Sequence, residues 1–161
     1  IDPEVLAYCK DNNLPKDKAT FNKYLSAVIN DLKEQISLHP NLKFYIVGNS
    51  YNPNQTSIIL TNIAISDSAI KHVINTKTAK LLKDYKDWKT DLINKKLEEF
   101  CNSTSNAIFI DRNVPLITKD GFVLYKNNVA VFYDPMHYSL FGGAIIGKYI
   151  MEQVLKDNTN N

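Results

Sequence analysis

Apolar residues recur at helical spacing from residue 20 to residue 37. One face of this predicted helix carries Phe21, Tyr24, Leu25, Val28, Ile29, Leu32 and Ile36. Thr20 is a suitable N-cap, and the helix should end before Pro40, because proline disfavours helical backbone in the residue before it. Residues 1–19 are polar and broken by two prolines, which predicts an irregular lead-in with a short helical turn at 5–9.

Two uninterrupted apolar runs, 43–48 and 107–111, predict buried strands. Strands that are buried on both faces are typical of parallel sheets covered by helices. Between these runs, residues 78–100 have the spacing of a long helix, with Leu81, Leu82, Tyr85, Trp88, Leu92 and Phe100 inward. Residues 67–74 suit a short helix, and residues 57–65 are apolar but fit either a strand or irregular structure. We expect the strands to be parallel neighbours with the helices 20–37 and 78–101 packed on them.

The last third of the chain alternates turn signals with short apolar segments. A turn at 119–121 leads into a short strand at 122–125, and a hairpin turn at 126–128 leads into a strand at 129–133. Pro135 cannot donate to a sheet, so that strand should end near Asp134. Ser139 is a suitable N-cap for a terminal helix. One face of this helix carries Leu140, Ala144, Ile146, Ile150 and Val154, and Gly142, Gly143 and Gly147 would permit close approach to another backbone.

The composition bounds the class of protein. The chain has 161 residues, 44% of them hydrophobic, which suits a single domain at 1–161 with a flexible tail at 157–161. The net charge of +2 is too small to argue for a nucleic-acid partner. Cys9 and Cys101 form no metal or redox motif, and either a disulfide between them or two separate buried thiols is compatible with the sequence. No cofactor motif is present, and His39 and His72 are expected to be solvated.

The segment Asp134-Pro-Met-His137 carries the most specific chemical signal. Three residues across a tight turn can bring a carboxylate to the Nδ1 atom of an imidazole. That contact fixes the tautomer and stabilises the imidazolium, which leaves Nε2 to take a proton from a nucleophile. We therefore expect an Asp134 oxygen within ~2.6–3.2 Å of His137 Nδ1, with Nε2 open to a cleft.

The block from Asp120-Gly121 through Asp134, His137, Ser139, Gly143 and Ala144 resembles the last catalytic block of the SGNH (GDSL-like) hydrolases. It is most similar to the SGNH domain fused to acyltransferase-3 membrane proteins. The similarity covers roughly residues 20–155, and only its last third is specific. It implies a three-layer α/β/α sandwich of flavodoxin-like type with a mainly parallel sheet, in which Asp134 and His137 are the carboxylate and the base of a Ser-His-Asp triad.

The chain departs from that family in two respects. Tyr138 stands where the family usually carries leucine, and the Gly-Asp-Ser block of the nucleophile is not visible. The resemblance therefore implies the C-terminal half of an SGNH domain, with the other half supplied by upstream residues, another chain or a swapped copy. Ser50, in Gly48-Asn49-Ser50, is an alternative nucleophile, although too few β-α units separate it from His137.

The resemblance implies O-acyl transfer from an acyl donor to a cell-envelope glycan such as peptidoglycan or lipopolysaccharide. It places the protein at the periplasmic or extracellular face, tethered to a bacterial membrane through an upstream acyltransferase domain. A secreted esterase would use the same triad, and a non-catalytic glycan-binding module with a degenerate triad is the third alternative. Tyr133, Tyr138 and Phe141 are candidates for stacking on a sugar.

Overall fold

The computed structural model describes residues 17–53, 85–127 and 129–159. The chain is of the mixed α/β class and forms two compact units. The helix–strand unit contains, among the described residues, 17–48 and 88–110, and the ribbon unit contains 49–53, 85–87, 111–127 and 129–159. The predictions for 5–9, 57–65, 67–74 and 78–84, and those for Cys9 and His72, lie outside the described residues.

The helix–strand unit is built from two helices and a two-stranded parallel sheet. Its elements are α1 (Lys18–Ser37), β1 (Phe44–Val47), α2 (Trp88–Asn102) and β2 (Ala107–Ile110). The register runs from Phe44 opposite Ala107 to Val47 opposite Ile110. The predicted parallel pairing is therefore confirmed.

The core of the helix–strand unit lies between the two helices and the sheet. Ile36 of α1, Phe100 and Cys101 of α2 and Ala107 of β2 form its buried cluster, with further apolar side chains of both strands packed against it. Cys101 is a free thiol, which excludes a disulfide to it. Burial raises the pKa of this thiol to about 11, so it stays protonated at neutral pH.

Both helices begin at residues other than those predicted. Asp17, not Thr20, caps α1, because its carboxylate accepts the backbone N–H of Thr20 at 2.8 Å. The helix α2 begins at Trp88, directly after Asp87, a residue type that favours N-caps. Tyr85 is not helical. Val28, predicted to face inward on α1, is exposed.

Tyr85 shows why the long-helix prediction was wrong at residues 85–87. Its ring stacks on Phe122 with the centroids 5.1 Å apart and meets Tyr51 edge-on at 5.0 Å. These contacts lie within the ribbon unit and outweigh the helical spacing that had placed Tyr85 on a helix face. Tertiary packing of aromatic rings commonly overrides local helix propensity in this way.

The ribbon unit contains short antiparallel pairs and one long helix. After a 3₁₀ turn (Val114–Leu116) come β3 (Ile117–Thr118), β4 (Gly121–Phe122), β5 (Tyr125–Lys126), β6 (Val129–Ala130) and α3 (Leu140–Thr159). The strand β3 pairs with β4, and β5 pairs with β6. The helix runs to Thr159, so residues 157–159 of the predicted tail are helical.

The predicted hairpin before residue 129 is confirmed, but the strand after it is shorter than predicted. Asn127 has a φ of 52°, which suits a tight hairpin turn. The strand β6 ends at Ala130 rather than near Asp134, because the carbonyl of Val131 accepts the backbone N–H of Ser139 at 2.9 Å. The predicted strand at 122–125 is likewise divided between β4 and β5.

The rotation of α3 is set by Gly142. A Cβ atom at Gly142 would lie 1.9 Å from the carbonyl oxygen of Val131, so only glycine fits this contact. Gly142 and Ile146 are consequently buried. Leu140 is 97% exposed and Ala144 is exposed, so their predicted inward position was wrong.

Only one of the three helix glycines makes the predicted close approach. A Cβ atom at Gly143 or Gly147 would meet no atom within 4 Å. Both lie on the face of α3 that also exposes Leu140, Ala144, Met151 and Leu155. None of the described helices is long and apolar enough to cross a membrane.

Candidate functional site

Asp134 and His137 lie on one tight loop between β6 and α3. The loop is closed at its base by a backbone bridge between Phe132 and Tyr138. Within it, the carbonyl of His137 accepts the backbone N–H of Tyr133 at 2.9 Å. The Asp134 carboxylate lies 2.8 Å (Oδ2) and 2.9 Å (Oδ1) from His137 Nδ1. The distance predicted from the D-x-x-H spacing is confirmed.

The Asp134 carboxylate also holds the backbone of its own loop. Its Oδ1 accepts the N–H of Met136 at 2.7 Å and that of His137 at 2.9 Å. The hydrogen bond from the His137 side chain, followed by that from Met136, lowers the pKa of Asp134. Asp134 is therefore ionised at neutral pH and presents a negative charge to Nδ1.

The imidazole of His137 projects outward. Its side chain is 73% exposed, and Nε2 makes no hydrogen bond with any residue that the structure describes. The described residues therefore enclose little of the ring, and the expected cleft is not closed around it. With Nδ1 occupied by a carboxylate, Nε2 is the nitrogen available to a reacting group.

Ser50 is not paired with His137 in this structure. Its buried hydroxyl lies 2.5 Å from the Tyr138 hydroxyl and donates to the carbonyl of Tyr51 at 3.0 Å. A serine nucleophile needs a base within hydrogen-bond reach, and a protonated phenol does not provide one. The geometry therefore gives no support to Ser50 as the nucleophile.

Ser139 has a structural role, as its predicted N-cap position implied. Its hydroxyl accepts the N–H of Gly142 at 3.0 Å and donates to the carbonyl of Ala130. The first contact caps α3, and the second ties the cap to β6. The hydrogen of this hydroxyl and one of its two acceptor sites are thus engaged with backbone.

Asn113 is a site residue that the sequence reasoning missed. It is fully buried. Its Nδ2 donates to the Asn49 carbonyl and to Asp111 Oδ1, each at 2.8 Å. Its Oδ1 accepts the N–H of Tyr51 at 2.9 Å. The available signal was Asp111-x-Asn113 after an apolar strand, since such residues hydrogen-bond nearby backbone.

The three aromatic candidates for sugar stacking have different environments. Phe141 packs against the buried cluster of the ribbon unit. The Tyr138 ring packs on Phe132 with the centroids 4.9 Å apart, and its hydroxyl is bound to Ser50. Only Tyr133, which is 76% exposed, presents a free ring face beside the Asp134–His137 loop.

The described residues contain no group of three or more His, Cys, Asp or Glu side chains that could hold a metal ion. His39 is exposed at the end of α1, within the helix–strand unit.

The chain matches no protein-family model, no curated protein and no solved structure.

Proposed function

We propose that this chain supplies the acid–base dyad of a Ser-His-Asp O-acyltransferase that acts on a cell-envelope glycan. One observation carries the proposal: both oxygens of the Asp134 carboxylate face His137 Nδ1, and Nε2 is left unbonded by the described residues. This is the arrangement that a general base needs when it serves a hydroxyl nucleophile.

The chemistry follows from that arrangement. His137 Nε2 takes the proton of a serine hydroxyl as the serine oxygen attacks the acyl carbonyl. Asp134 stabilises the imidazolium that forms, and the proton then passes to the leaving group of the donor. In the second half, His137 takes the proton of a sugar hydroxyl as the sugar oxygen attacks the acyl-serine. The bond from the serine oxygen to the acyl group breaks, and the serine takes that proton back from His137. Oxyanion donors complete the site.

In this proposal the serine and the oxyanion donors come from the N-terminal half of an SGNH sandwich. Two features of the described residues support a missing half. The sheet of the helix–strand unit has only two strands, each with an open edge. The helix α3 exposes an apolar face along its whole length. Its exposed members are Leu140, Gly143, Ala144, Gly147, Met151 and Leu155.

The glycan acceptor, the periplasmic or extracellular location and the tether through an upstream membrane acyltransferase domain follow from the family resemblance. The exposed ring of Tyr133 adds support for a sugar acceptor, because aromatic faces pack well on the apolar side of a sugar ring. Transfer to a glycan and hydrolysis to free acid share the same dyad, so the identity of the acceptor separates the transferase from the esterase.

The proposal is tested by acetyl-transfer assays on the complete protein in membranes, with the glycan product measured by mass spectrometry. His137→Ala is expected to lower the transfer rate by at least about a thousandfold, and Asp134→Asn by a similar factor through loss of the tautomer. His39→Ala is the matched control, because it removes an exposed histidine from the other unit. It should retain the full rate.

Two outcomes would contradict the proposal. A His137→Ala protein that still transfers acetyl at a rate within about threefold of the parent would remove the dyad from the mechanism. Release of free acetate with no acetylated glycan, lost on His137→Ala, would replace the transferase with an esterase.

A further inference from the structure

The Asp134–His137 loop has a well-defined internal shape but little packing to hold it in place. Its internal hydrogen bonds run from Asp134 to the backbone of Met136 and His137. The side chains at its tip, Tyr133, Met136 and His137, are all exposed. The position of the imidazole must therefore be fixed from the base of the loop.

Tyr138 provides an attachment at that base. It directly follows His137, its ring packs on Phe132, and its hydroxyl lies 2.5 Å from Ser50 Oγ. Ser50 has a single hydroxyl hydrogen, and it donates this to the Tyr51 carbonyl. Tyr138 is then the donor to Ser50. Burial raises the pKa of Tyr138, which keeps the phenol protonated for this role.

Ser50 is itself held rigidly from both sides. Asn113 donates to the carbonyl of Asn49 and accepts from the N–H of Tyr51, so the residues flanking Ser50 are bound by one buried amide. Asp111 in turn accepts from both the Asn113 side chain and its backbone N–H. Hydrogen bonds, joined through the backbone of residues 49–51, thus connect Asp111 to Tyr138.

We propose that Tyr138 and Ser50 are positioning residues that hold His137 in its reactive orientation through the hydrogen bond between their hydroxyls. The inference rests on the proposed function in one respect, namely that the orientation of His137 serves catalysis. It adds a specific role for the tyrosine that stands in place of the leucine usual in SGNH proteins. A leucine at this position would pack on Phe132 but would have no hydroxyl to bind Ser50.

The physical consequence concerns the tautomer of His137. While the loop is held, the Nδ1–H group of His137 stays hydrogen-bonded to the Asp134 carboxylate, and Nε2 carries the lone pair. If the base of the loop loosens, the contact with Asp134 opens part of the time and the imidazole adopts the Nε2–H form as well. That form cannot accept a proton at Nε2.

The test is nitrogen-15 NMR of the His137 ring in the full 161-residue chain at about pH 9. In the parent chain the Nδ1–H tautomer should dominate. In Tyr138→Phe the ratio of Nδ1–H to Nε2–H should fall by about two- to tenfold, the factor that one neutral hydrogen bond supplies. Ser50→Ala should lower it equally, and the double variant should lower it no further.

Tyr125→Phe is the matched control. It removes a hydroxyl from the same unit, and that hydroxyl makes no hydrogen bond with the described residues. Its ratio should equal that of the parent. An unchanged ratio in both Tyr138→Phe and Ser50→Ala would overturn the positioning role, whatever the activity of these variants. If Tyr138→Phe fails to fold, Ser50→Ala provides the same measurement with a smaller change.

A second measurement separates this inference from the proposed function. In the complete enzyme, Tyr138→Phe should lower kcat by a factor similar to the tautomer shift and leave KM unchanged, since it alters the orientation of the base and not the binding of substrate. If the tautomer shifts while His137→Ala leaves acetyl transfer intact, the positioning role stands and the proposed function fails. If His137→Ala abolishes transfer and the tautomer ratio does not shift in Tyr138→Phe, the proposed function stands and the positioning role fails.

Discussion

The helix–strand unit and the ribbon unit are stabilised in different ways. The first buries Ile36, Phe100 and Ala107 in an apolar cluster beneath a regular parallel ladder. The second also has an apolar cluster, but its strands are only two residues long. Its loops are held by the buried side chain of Asn113 and by the helix cap Ser139. Removal of a polar contact in the ribbon unit should therefore destabilise the fold more than removal of a similar contact in the helix–strand unit. The reason is that loss of a hydrogen-bond partner costs more folding stability for a buried polar group than for an exposed one.

The largest effect is expected at the closest contact in the ribbon unit. Gly142→Ala would place a methyl group 1.9 Å from the Val131 carbonyl oxygen, so α3 or the backbone at Val131 must move. We expect a loss of about 3 kcal/mol in the free energy of unfolding, measured by urea denaturation. Gly143→Ala, one residue along the same helix, faces open space. It should be neutral or stabilising by ~0.5–1 kcal/mol, and equal losses in both variants would refute the account of Gly142.

A smaller effect is expected from two asparagines that hold loops in the two units. Asn113→Ala removes the hydrogen bonds of a fully buried amide to residues 49 and 51 and should cost about 2–3 kcal/mol. Asn106 binds the carbonyls of His39 and Leu42 at an exposed position, and Asn106→Ala should cost only ~0.5–1 kcal/mol. Urea denaturation of both variants checks the order. A larger loss at Asn106 would reverse the comparison between the units.

The smallest effect on stability concerns the N-caps. Ser139→Ala removes the cap of α3 and should cost about 1 kcal/mol at any pH, because a serine hydroxyl does not titrate in the accessible range. Asp17→Ala removes the exposed cap of α1 and should cost less.

The two caps also differ in their dependence on pH. The hydrogen bond from the Thr20 N–H lowers the pKa of Asp17 in the folded state below its ordinary 3.8. A depressed carboxyl pKa stabilises the fold above the ordinary value, and the contribution is lost as the pH falls through the folded-state pKa. The difference between the parent and Asp17→Ala should therefore be constant from pH 7 down to about pH 5 and should shrink below pH 4. A difference that persists at pH 2 would show that the carboxylate is not the cap.

The sequence was sufficient for the parts of the fold that follow from periodicity. The parallel strands, the apolar face of α1 with the exception of Val28, and the hairpin before residue 129 were all predicted from local pattern. The start of α2 was not, because the contact of Tyr85 with Tyr51 and Phe122 joins residues that are far apart in the chain. The side of α3 that is buried was also not predictable, since it depends on the single close approach of Gly142 to Val131.

The candidate site likewise contains contacts that the sequence could predict and contacts that it could not. The contact between Asp134 and His137 was predictable, because three residues of separation and a turn suffice to make it. The contact between Ser50 and Tyr138 spans 88 positions of the chain and has no local signal. Asn113 was missed for the same reason: its partners near residue 50 are distant in sequence, and only its turn with Asp111 is local.

The short span of the Asp134–His137 pair has a consequence for how the proposed dyad can be assembled. Carboxylate and imidazole are joined by a loop that closes on itself through its own backbone. Most of the hydrogen bonds that set their mutual geometry thus lie within a few consecutive residues, and the contact of Tyr138 with Ser50 adds a support from a distant part of the chain. Under the proposed function, the loop can accept its serine from a separate polypeptide, provided that the chain keeps the contact between Ser50 and Tyr138 and that the serine approaches Nε2.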